Sequence, residues 1–430
     1  MGPDERLSIE SMRTRFEELL STDLLNPEDT TVLVYDHAEI VRRCTLLTSA
    51  FPDTSVHSVA VKAVALPQLL SETRAHGFGA EAASEAEIAI AIKAGIPAAQ
   101  IVFDSPAKTV TELRNALVTG VGINIDNLEE ARRVRELIKE SPSRNLMGLR
   151  INPQIGQGKI GTTSVAGRFS KFGIPIQESR AQIIDCYRAN VWLSSIHVHT
   201  GSQGMSLEQL VEGVRRVCDL ALEVGDQITT VDIGGGLPVS YKRGNAPRPT
   251  MVEYVSELEK VCPELFSGRY RIVTEFGRWL FANAGWLATK IEYTKRSAER
   301  RIAVVHAGGD LFVRPIYQPE IWQHEVDVFS MDAERDMESD RSPWSVAGPL
   351  CFSGDFLAQE RLLPNSEPGD WIIVQDAGAY TFSAVSRYNS RPMPKVVMDE
   401  FSQWRLLRER ESADDVVNFW IGRTSSPDHS

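Results

Sequence analysis

The sequence lacks any uninterrupted apolar run long enough to span a membrane, because charged residues break each hydrophobic stretch well short of about 20 residues. Its first residues, MGPDERLSIES, are polar and mixed in charge, unlike the apolar core of a secretory signal peptide. These two absences give no reason to place the chain in or across a membrane. We therefore predict a cytoplasmic protein.

Cysteine is scarce, with five among 430 residues, and no pair has C-x-x-C spacing. The five are widely scattered: Cys44, Cys186, Cys218, Cys262 and Cys351. An odd number of dispersed cysteines in a long chain is not typical of a disulfide framework. We therefore predict a reducing compartment, no structural zinc and no metal site.

Basic residues are outnumbered, with 46 Lys and Arg against 58 Asp and Glu, so the formal net charge is −12. This charge argues against nucleic acid or an anionic membrane as the main partner, because both attract basic surfaces. It does not argue against one small anion held in a local pocket that is rich in N–H groups.

Strand-like and helical patterns alternate along the first two thirds of the chain. Eight short strand-like runs, most of them containing Val or Ile, cover residues 58–62, 77–82, 101–104, 121–126, 148–152, 193–199, 229–233 and 271–275. Amphipathic helical patterns lie between them, and this alternation predicts a parallel (β/α)8 barrel. A doubly wound open sheet is the competing layout, but eight strands in one run are less usual for it.

A chain of this length and 42% hydrophobic content can bury a large core and form about two or three domains. We expect an N-terminal helical segment over 1–30, a strand over 31–36 that joins the second domain, the barrel over 37–285 and a mainly β domain over 286–430. The last domain is predicted from strand-like runs at 302–308 and 370–380. Its charged run 332–341 is predicted to be a solvated loop and a candidate lid, and its end a polar tail.

Residues 229–241 read TTVDIGGGLPVSY, and the candidate chemistry is organised around them. A β-branched run leads into three consecutive glycines, Gly234, Gly235 and Gly236, whose N–H groups can approach a phosphate with no Cβ in the way. The spacing is not the G-x-G-x-x-G of a dinucleotide site, because Pro238 stands where the helix would have to begin. Taken alone, a tight turn after a buried strand explains the run as simply.

Polar residues also end the other predicted barrel strands, which are otherwise apolar. They are Lys62, Glu81, Ser84, Arg150, Asn152, His197, His199, Glu275, Gly277 and Arg278. The carboxyl ends of the strands form the functional face of a parallel barrel, so these residues should share one rim. Their convergence is a stronger signal than any one of them.

The residue types on this rim indicate a particular chemistry. Lys62, at the end of an apolar strand, offers an amine for a Schiff base with an aldehyde. The glycine N–H groups after the seventh run and Arg278 after the eighth make the phosphate site that this barrel commonly places at those loops. Together they indicate pyridoxal 5'-phosphate. Glu275 would pair with the pyridine nitrogen and keep it protonated, while His199 lies against the ring and Ser202 holds the phosphate.

Eight ordered motifs over about residues 30 to 395 resemble the fold-type III pyridoxal-phosphate decarboxylases, the diaminopimelate and ornithine decarboxylase family. They are AVKA around Lys62, LRINP at 149–153, SKFG at 170–173, HVHTGSQ at 197–203, DIGGGLP at 232–238, EFGR at 275–278, GPLCFSGD at 348–355, and GAY at 378–380 with RYNSRP after it. The resemblance implies an alanine-racemase-like barrel with a C-terminal β-domain. It also implies a head-to-tail homodimer with two composite active sites and an amino acid as substrate.

The resemblance assigns roles to residues at matching positions. Lys62 would bind the cofactor as a Schiff base, His199 would stack on it, and Glu275 would bind the pyridinium. The phosphate would be held by Ser202, Gly235, Gly236, Gly277, Arg278 and Tyr380. Glu81 stands where the family has an aspartate. Arg150 would contact a cofactor-stacking or catalytic group, although an ion pair near the rim explains it as well.

Cys351 would reach across from the partner subunit as the acid that reprotonates the carbanion after carbon dioxide leaves. A thiol suits this step, because its ordinary pKa is close enough to neutrality for it to donate a proton. His197, one pleat deeper than His199 on the same face, is predicted to be structural.

The substrate pocket departs from the family. The residue after the acid cysteine is Phe352, where diaminopimelate and ornithine decarboxylases have an acid that holds the distal ammonium. An unpaired ammonium in a closed site is costly, so a diamine-like substrate needs another partner or is not the substrate. Arg314-Pro-Ile-Tyr317 resembles an RP-x-x-Y motif for a distal carboxylate, but is one residue shorter. Substrate binding is therefore assigned to Arg278, Arg314, Tyr317, Phe352 and Tyr380.

Four functions stay open at this point. The first is a diaminopimelate-decarboxylase-like enzyme, and the second is a decarboxylase of a carboxylate-bearing amino-acid conjugate in siderophore or antibiotic biosynthesis. The third is an amino-acid racemase on the same barrel, which Glu275 disfavours because racemases place an arginine at the pyridine nitrogen. The fourth is a non-catalytic homologue that binds a partner protein, which the presence of Lys62 and Cys351 disfavours.

Overall fold

The computed structural model describes residues 7–140, 145–242, 249–332, 335, 337, 341–401 and 403–422. Most of the charged run 332–341 and the end of the polar tail lie outside the described residues. The chain divides into two compact units. The β unit comprises Met1–Glu39, Tyr241–Gly244 and Ala282–Ser430, and the barrel unit comprises Ile40–Ser240 and Asn245–Phe281. No helix within the described ranges is long and apolar enough to cross a membrane.

The first described helix is α1 (Ile9–Leu20), which lies within the predicted helical segment 1–30, and strand β1 (Thr31–Asp36) follows it. The strands that follow are short and almost wholly buried. They are β2 (Val56–Ala60), β3 (Gly79–Ala82), β4 (Ile101–Asp104), β5 (Gly122–Ile125), β6 (Met147–Asn152), β7 (Ile174–Pro175), β8 (Ser195–His197), β9 (Thr230–Asp232) and β10 (Arg271–Glu275).

These strands form one parallel sheet in the order β5-β4-β3-β2-β10-β9-β8-β6-β7. β5 also pairs with β6, so the sheet closes, and β7 pairs with β6 outside the ring. The ring therefore contains eight strands, one for each predicted run. The predicted (β/α)8 barrel is confirmed, and the open doubly wound sheet is wrong.

Helices connect the barrel strands. They are α2 (His37–Ala50), α3 (Pro67–Ala75), α4 (Glu85–Lys93), α5 (Val110–Thr119), α6 (Leu128–Glu140), α7 (Ile176–Ala189), α8 (Leu207–Val224), α9 (Met251–Val261), α10 (Pro263–Phe266) and α11 (Arg278–Phe281). Side-chain hydrogen bonds fix several of their starts. Thr109 with Glu112 at α5 and Thr250 with Glu253 at α9 form reciprocal capping boxes, which satisfy backbone N–H groups that the helix leaves free.

The β unit contains a second sheet built from the remaining strands and β1. The remaining strands are β11 (Gly285–Ser297), β12 (Arg300–Val305), β13 (Val326–Phe329), β14 (Ser342–Ala347), β15 (Phe356–Leu363), β16 (Trp371–Val374), β17 (Lys395–Glu400) and β18 (Gln403–Arg408). The helices here are α12 (Val313–Tyr317) and α13 (Ala413–Ile421). The unit is mainly β, as predicted. The run predicted at 370–380 ends its strand at Val374, and the left-handed φ of 56° at Asp376 turns the chain away.

The sheet of the β unit has the order β15-β14-β12-β11-β1-β17-β18, with β16 pairing to both β11 and β13. α1 packs against it through Phe16, which is fully buried. The Phe16 ring meets Trp286, Phe329 and Trp371 edge-on, with ring centroids 5.9, 5.4 and 5.0 Å away. The N-terminal helix therefore closes the hydrophobic core of this unit.

Candidate active site

Lys62 and Glu81 lie side by side in the barrel unit. Lys62 lies in a short 3-10 turn, Val61–Ala63, directly after β2, and its Nζ is 2.6 Å from Oε2 of Glu81 on β3. The Lys62 side chain is 40% exposed, whereas the Glu81 side chain is fully buried. Burial raises the pKa of Glu81 to about 7 despite the attraction of Lys62. The amine thus points from the barrel strands towards solvent, with its acidic neighbour below it.

Arg150 is buried on β6 in a pair of contacts with carboxylates. Its Nη1 donates to Oδ2 of Asp104 at 2.6 Å, and its Nε lies 4.0 Å from Oδ1 of Asp126. Burial alone would raise the pKa of Asp104, but the charge of Arg150 holds it well below its usual range. The ion-pair alternative for Arg150 describes these contacts, and its guanidinium also lies 4.7 Å from the Phe172 ring centroid.

Asp104 and Asp126 were not among the predicted site residues. Asp104 ends β4, and Asp126 directly follows β5. They therefore satisfied the same criterion as the selected residues, a polar side chain at the carboxyl end of a barrel strand, and could have been found with it.

Glu275 ends β10 as a buried carboxylate with one oxygen in use. Its Oε2 lies 3.4 Å from Nε2 of His197, and its Oε1 has no hydrogen-bond partner among the described residues. Burial would raise the pKa of Glu275, but the charge and hydrogen bond of His197, together with the charge of Lys62, lower it below its usual value. Glu275 is therefore ionised near neutral pH and keeps a free acceptor oxygen. His197, predicted to be structural, lies directly against this candidate catalytic group.

Asp104, His197 and Glu275 each bring one potential ligand atom within 4.8 Å of the others, a spacing that a metal ion can use. The positive charge of Arg150 already neutralises one member of this cluster, because its guanidinium donates to Asp104 at 2.6 Å. The cluster is therefore a buried charge network.

His199 follows β8 and contacts the glycine run. Its Nδ1 accepts the N–H of Gly235 at 3.2 Å, so a neutral ring carries its proton on Nε2. Burial, followed by the nearby positive charges of Lys62 and Arg150, lowers the pKa of His199 to about 3. The imidazole is therefore neutral over the physiological range.

The glycine run packs too closely for side chains. A Cβ on Gly235 would lie 2.3 Å from the carbonyl oxygen of Glu275. Gly236 has a φ of 104°, and a Cβ there would lie 1.9 Å from the carbonyl oxygen of Gly201. A Cβ on Gly277, after β10, would lie 2.7 Å from that of Ala63. Glycine is thus required by close backbone approach, which the tight-turn interpretation did not include.

Arg278 and Ser202 meet at the same rim. Nε of Arg278, the first residue of α11, donates to Oγ of Ser202 at 3.2 Å. Arg278 is buried and Ser202 is partly exposed. A guanidinium and a hydroxyl are a donor set that suits an anion such as a phosphate.

The other predicted site residues belong to the β unit. The Arg314 guanidinium lies 4.1 Å from the ring centroid of Tyr380, which has a left-handed φ of 60°. One turn further along α12, the exposed Tyr317 ring stacks on Phe352 with centroids 5.1 Å apart and planes 16° apart. Cys351 is exposed in the loop that precedes Phe352. Four of these residues therefore form two aromatic contacts.

Comparison with known proteins identifies relatives over nearly the whole chain. Residues 37–282 match the family model described as "Pyridoxal-dependent decarboxylase, pyridoxal binding domain". The chain is 32% identical to the diaminopimelate decarboxylase of Archaeoglobus fulgidus over 92% of its own length and 94% of that protein. It is 31% identical to the diaminopimelate decarboxylase of Zymomonas mobilis, over 89% and 91%.

Solved structures agree with this comparison. The crystal structure of diaminopimelate decarboxylase from Helicobacter pylori complexed with L-lysine matches with a TM-score of 0.84 and 28% identity, over 94% of this chain and 99% of that one. A lysine/ornithine decarboxylase from Vibrio vulnificus complexed with putrescine matches with a TM-score of 0.75 and 20% identity, over 92% and 99%. At that identity the second match supports the fold alone.

Proposed function

The chain belongs to the pyridoxal-dependent decarboxylases, and on this premise we propose that it removes the α-carboxylate of an amino acid whose far end carries a carboxylate, with diaminopimelate as the first candidate. The enzyme class, a pyridoxal-phosphate-dependent amino-acid decarboxylase, follows from membership. When bound, the cofactor withdraws electrons from the α-carbon so that carbon dioxide can leave. Membership also favours decarboxylation over the racemase and non-catalytic alternatives.

The residues present fit this cofactor. The buried Oε1 of Glu275, without a partner among the described residues, matches a ring nitrogen that carries a proton. The amine of Lys62 and the Arg278–Ser202 pair supply the groups that an aldehyde and a phosphate need. We propose that Lys62 holds the cofactor. Its phosphate would be held by Ser202, Gly235, Gly236, Gly277, Arg278 and Tyr380, and we propose 37–285 as the cofactor domain.

We assign a separate role in the reaction to each residue around the cofactor. Glu275, ionised near neutral pH, would pair with the ring nitrogen of the bound cofactor and favour its protonated form, which is the electrostatic condition for loss of the carboxylate. His199, which is neutral at that pH, would present an uncharged imidazole face to the cofactor ring. Glu81 sets the charge beside Lys62, 2.6 Å from its amine, and Arg150 neutralises the neighbouring Asp104. Cys351 donates the proton that the α-carbon receives after carbon dioxide leaves.

We further propose a homodimer in which Cys351 completes the site of the partner subunit, in the cytoplasm. The five cysteines are unpaired, which agrees with a reducing compartment. Cys351 is the one exposed member of the five, as a residue that serves a second subunit must be before assembly.

One observation supports the substrate assignment, the stack of Phe352 on Tyr317. Its centroid separation of 5.1 Å leaves an uncharged aromatic surface directly after Cys351. Arg314, one turn before Tyr317 on α12, supplies the positive charge of this region. A far end with a carboxylate fits an arginine, whereas a far end with only an ammonium has no opposite charge at Phe352.

The same observation favours a second candidate. An amino-acid conjugate that carries a far carboxylate and no distal ammonium also satisfies Arg314 and needs no acid at Phe352. Such a substrate would belong to specialised biosynthesis. Diaminopimelate carries both groups at its far end, so its distal ammonium would require a partner other than residue 352.

The test is carbon dioxide release by the purified holoenzyme. The substrates are meso-diaminopimelate, lysine, ornithine, arginine, glutamate and carboxylate-bearing amino-acid conjugates. Turnover of meso-diaminopimelate supports the first candidate, and release only from glutamate or a conjugate supports the second. Preferred turnover of ornithine or lysine contradicts both.

A variant tests the role of residue 352. Phe352→Glu should improve activity on lysine-like substrates, because it restores an opposite charge for the distal ammonium. Leu362→Glu is the matched control, since Leu362 is 63% exposed on β15 and adds the same charge elsewhere in the unit. No gain with Phe352→Glu, or an equal gain with the control, would contradict the pocket argument.

A further inference from the structure

The loop that carries Cys351 is a closed structure built around Asp355. The Asp355 carboxylate accepts the N–H groups of Leu350 at 2.8 Å and Gly309 at 2.7 Å, and its carbonyl accepts the N–H of Gly348 at 2.9 Å. Asp355 is buried. The base of the loop is therefore held from inside the β unit, and Cys351 lies at its exposed tip.

Cys351 is the central residue of a three-residue turn. The N–H of Phe352 donates to the carbonyl of Leu350 at 2.7 Å, which closes a turn of the γ type. In such a turn the N–H and C=O groups of the central residue take no part in the closing bond. Both backbone polar groups of Cys351 are therefore available to partners outside the loop.

Two consecutive residues take up these groups. The N–H of Cys351 donates to Oδ1 of Asn389 at 2.7 Å, and the hydroxyl of Tyr388 donates to the carbonyl of Cys351 at 3.0 Å. Fixing both the N–H and the C=O of one residue fixes the peptide planes on either side of it. The direction of the Cα–Cβ bond follows, and Sγ is then limited to the staggered positions that rotation about this bond allows.

The segment that supplies these partners is itself held. Asn389 and Ser390 have left-handed φ values of 59° and 52°, so the chain turns sharply here. Arg387 pairs with Glu411 through two bonds of 2.5 and 2.9 Å. Nε1 of Trp420, on α13, donates to Oγ of Ser390 at 3.0 Å. The C-terminal helix thus braces the turn that contacts Cys351.

We propose that Tyr388 and Asn389 are positioning residues that aim the thiol of Cys351 for proton donation. The inference rests on the proposed function, since it gives Cys351 the role of the acid. It adds that the orientation of the thiol depends on a clamp from outside its own loop, made by one hydrogen-bond acceptor and one donor. Loss of either bond should misplace the proton without changing how substrate binds.

Variants of the holoenzyme separate the effect of the hydrogen bond to Cys351 from the effect of the left-handed backbone at Asn389. Asn389→Gly tolerates the left-handed φ but removes the acceptor, whereas Asn389→Asp keeps an acceptor oxygen at the same distance. Tyr388→Phe removes one hydroxyl. Tyr293→Phe is the control, because Tyr293 is 60% exposed on β11 and makes the same chemical change. Thermal melts of all four verify that each is folded.

Two readouts are measured on each variant. The first is kcat and KM for carbon dioxide release on the substrate that the wild type prefers. The second is the rate of iodoacetamide alkylation of Cys351 against pH, followed by peptide mass spectrometry, with an unstructured cysteine peptide in parallel. Cys351 is the exposed cysteine of the chain, so its alkylation can be followed selectively.

The alkylation rate of Cys351 in the wild type should differ from the rate of the peptide cysteine. In Asn389→Gly this rate should move towards that of the peptide. Asn389→Gly should lower kcat about tenfold and Tyr388→Phe about threefold, with KM within about twofold, as expected for lost hydrogen bonds that act on the transition state. Asn389→Asp should restore kcat to within about threefold of the wild type.

The proposal is overturned if wild-type Cys351 already reacts like the peptide, or if Asn389→Gly and Tyr388→Phe both keep wild-type kcat. It is also overturned if Asn389→Asp is as impaired as Asn389→Gly. The alkylation comparison needs no turnover. A wild type that releases no carbon dioxide from any substrate would therefore contradict the proposed function, while the alkylation rates still decide whether the clamp holds the thiol.

Discussion

The amine of Lys62 lies 2.6 Å from the carboxylate of Glu81, and the two side chains differ sharply in their exposure to water. The acid is fully buried and the amine is 40% exposed. The pKa of Glu81 is about 7, so the pair changes charge near neutral pH. The barrel therefore places a titrating acid directly beside the residue proposed to hold the cofactor.

Glu81→Gln should change how the stability of the cofactor-free protein depends on pH. The pKa of Glu81 rises from 4.5 to about 7 on folding, so between these values the native state keeps a proton that the unfolded chain has released. Its contribution to the free energy of unfolding is complete below pH 4.5 and falls as pH rises through about 7. Glutamine does not titrate. Urea unfolding from about pH 5 to about pH 8 should show Glu81→Gln gaining stability relative to the wild type as pH rises.

The control for this experiment is Glu178→Gln, which makes the same change at an exposed position on α7. Its stability relative to the wild type should be independent of pH. A pH-independent difference for Glu81→Gln would mean that Glu81 is ionised throughout.

Gly235→Ala should destabilise the barrel and weaken cofactor binding. Its Cβ would lie 2.3 Å from the carbonyl oxygen of Glu275, which must move together with the carboxylate. Overpacking of this kind costs about 1–3 kcal/mol of unfolding free energy. Gly161→Ala is the matched control, because a Cβ there meets nothing within 4 Å. Urea unfolding and titration with pyridoxal phosphate measure the two effects, and equal behaviour of both variants would refute the packing argument.

A mixture of two inactive variants should recover activity if the homodimer has composite sites. Lys62→Ala removes the cofactor lysine from the site of its own subunit. Cys351→Ala removes the proton donor that its subunit supplies to the site of the partner. Each should be inactive alone. After subunit exchange, half of the dimers are mixed and each contains one intact site, so about a quarter of wild-type activity should return.

Lys62→Ala mixed with Glu275→Ala is the control, since both lesions lie in the barrel and no mixed dimer regains a complete site. Recovery in this control would mean that activity comes from contaminating wild type. Absence of recovery in the first mixture, with exchange verified by native mass spectrometry, would show that Cys351 does not serve the partner.

Local patterns in the sequence were sufficient to predict the barrel. Short runs rich in β-branched residues can be recognised as buried strands from their own composition, and the alternation with helical patterns identified the run at 77–82, which contains none. All eight runs became strands of the ring. The carboxyl ends of parallel strands share one face, so Lys62, Glu275 and Arg278 could be assigned to a common rim before any distance was known.

Pairing between distant side chains could not be predicted in the same way. Arg150 was selected, but its partner Asp104 lies 46 residues away, and spacing along the chain does not determine which carboxylate it meets. The bond between Cys351 and Asn389 spans 38 residues and depends on two turns that only the folded chain brings together. Such contacts follow from tertiary packing, which no local pattern encodes.

β1 lies inside the sheet of the β unit, with β11 antiparallel on one side and β17 parallel on the other. Its six residues are all buried, yet they leave the ribosome more than 350 residues before the last residues of β17. During synthesis this apolar strand must wait without either neighbour while the whole barrel emerges. β1 is thus made before the barrel and is among the last elements to be stabilised. A chain truncated before Lys395 would leave one edge of β1 without its partner strand, and that edge would be a template for aggregation.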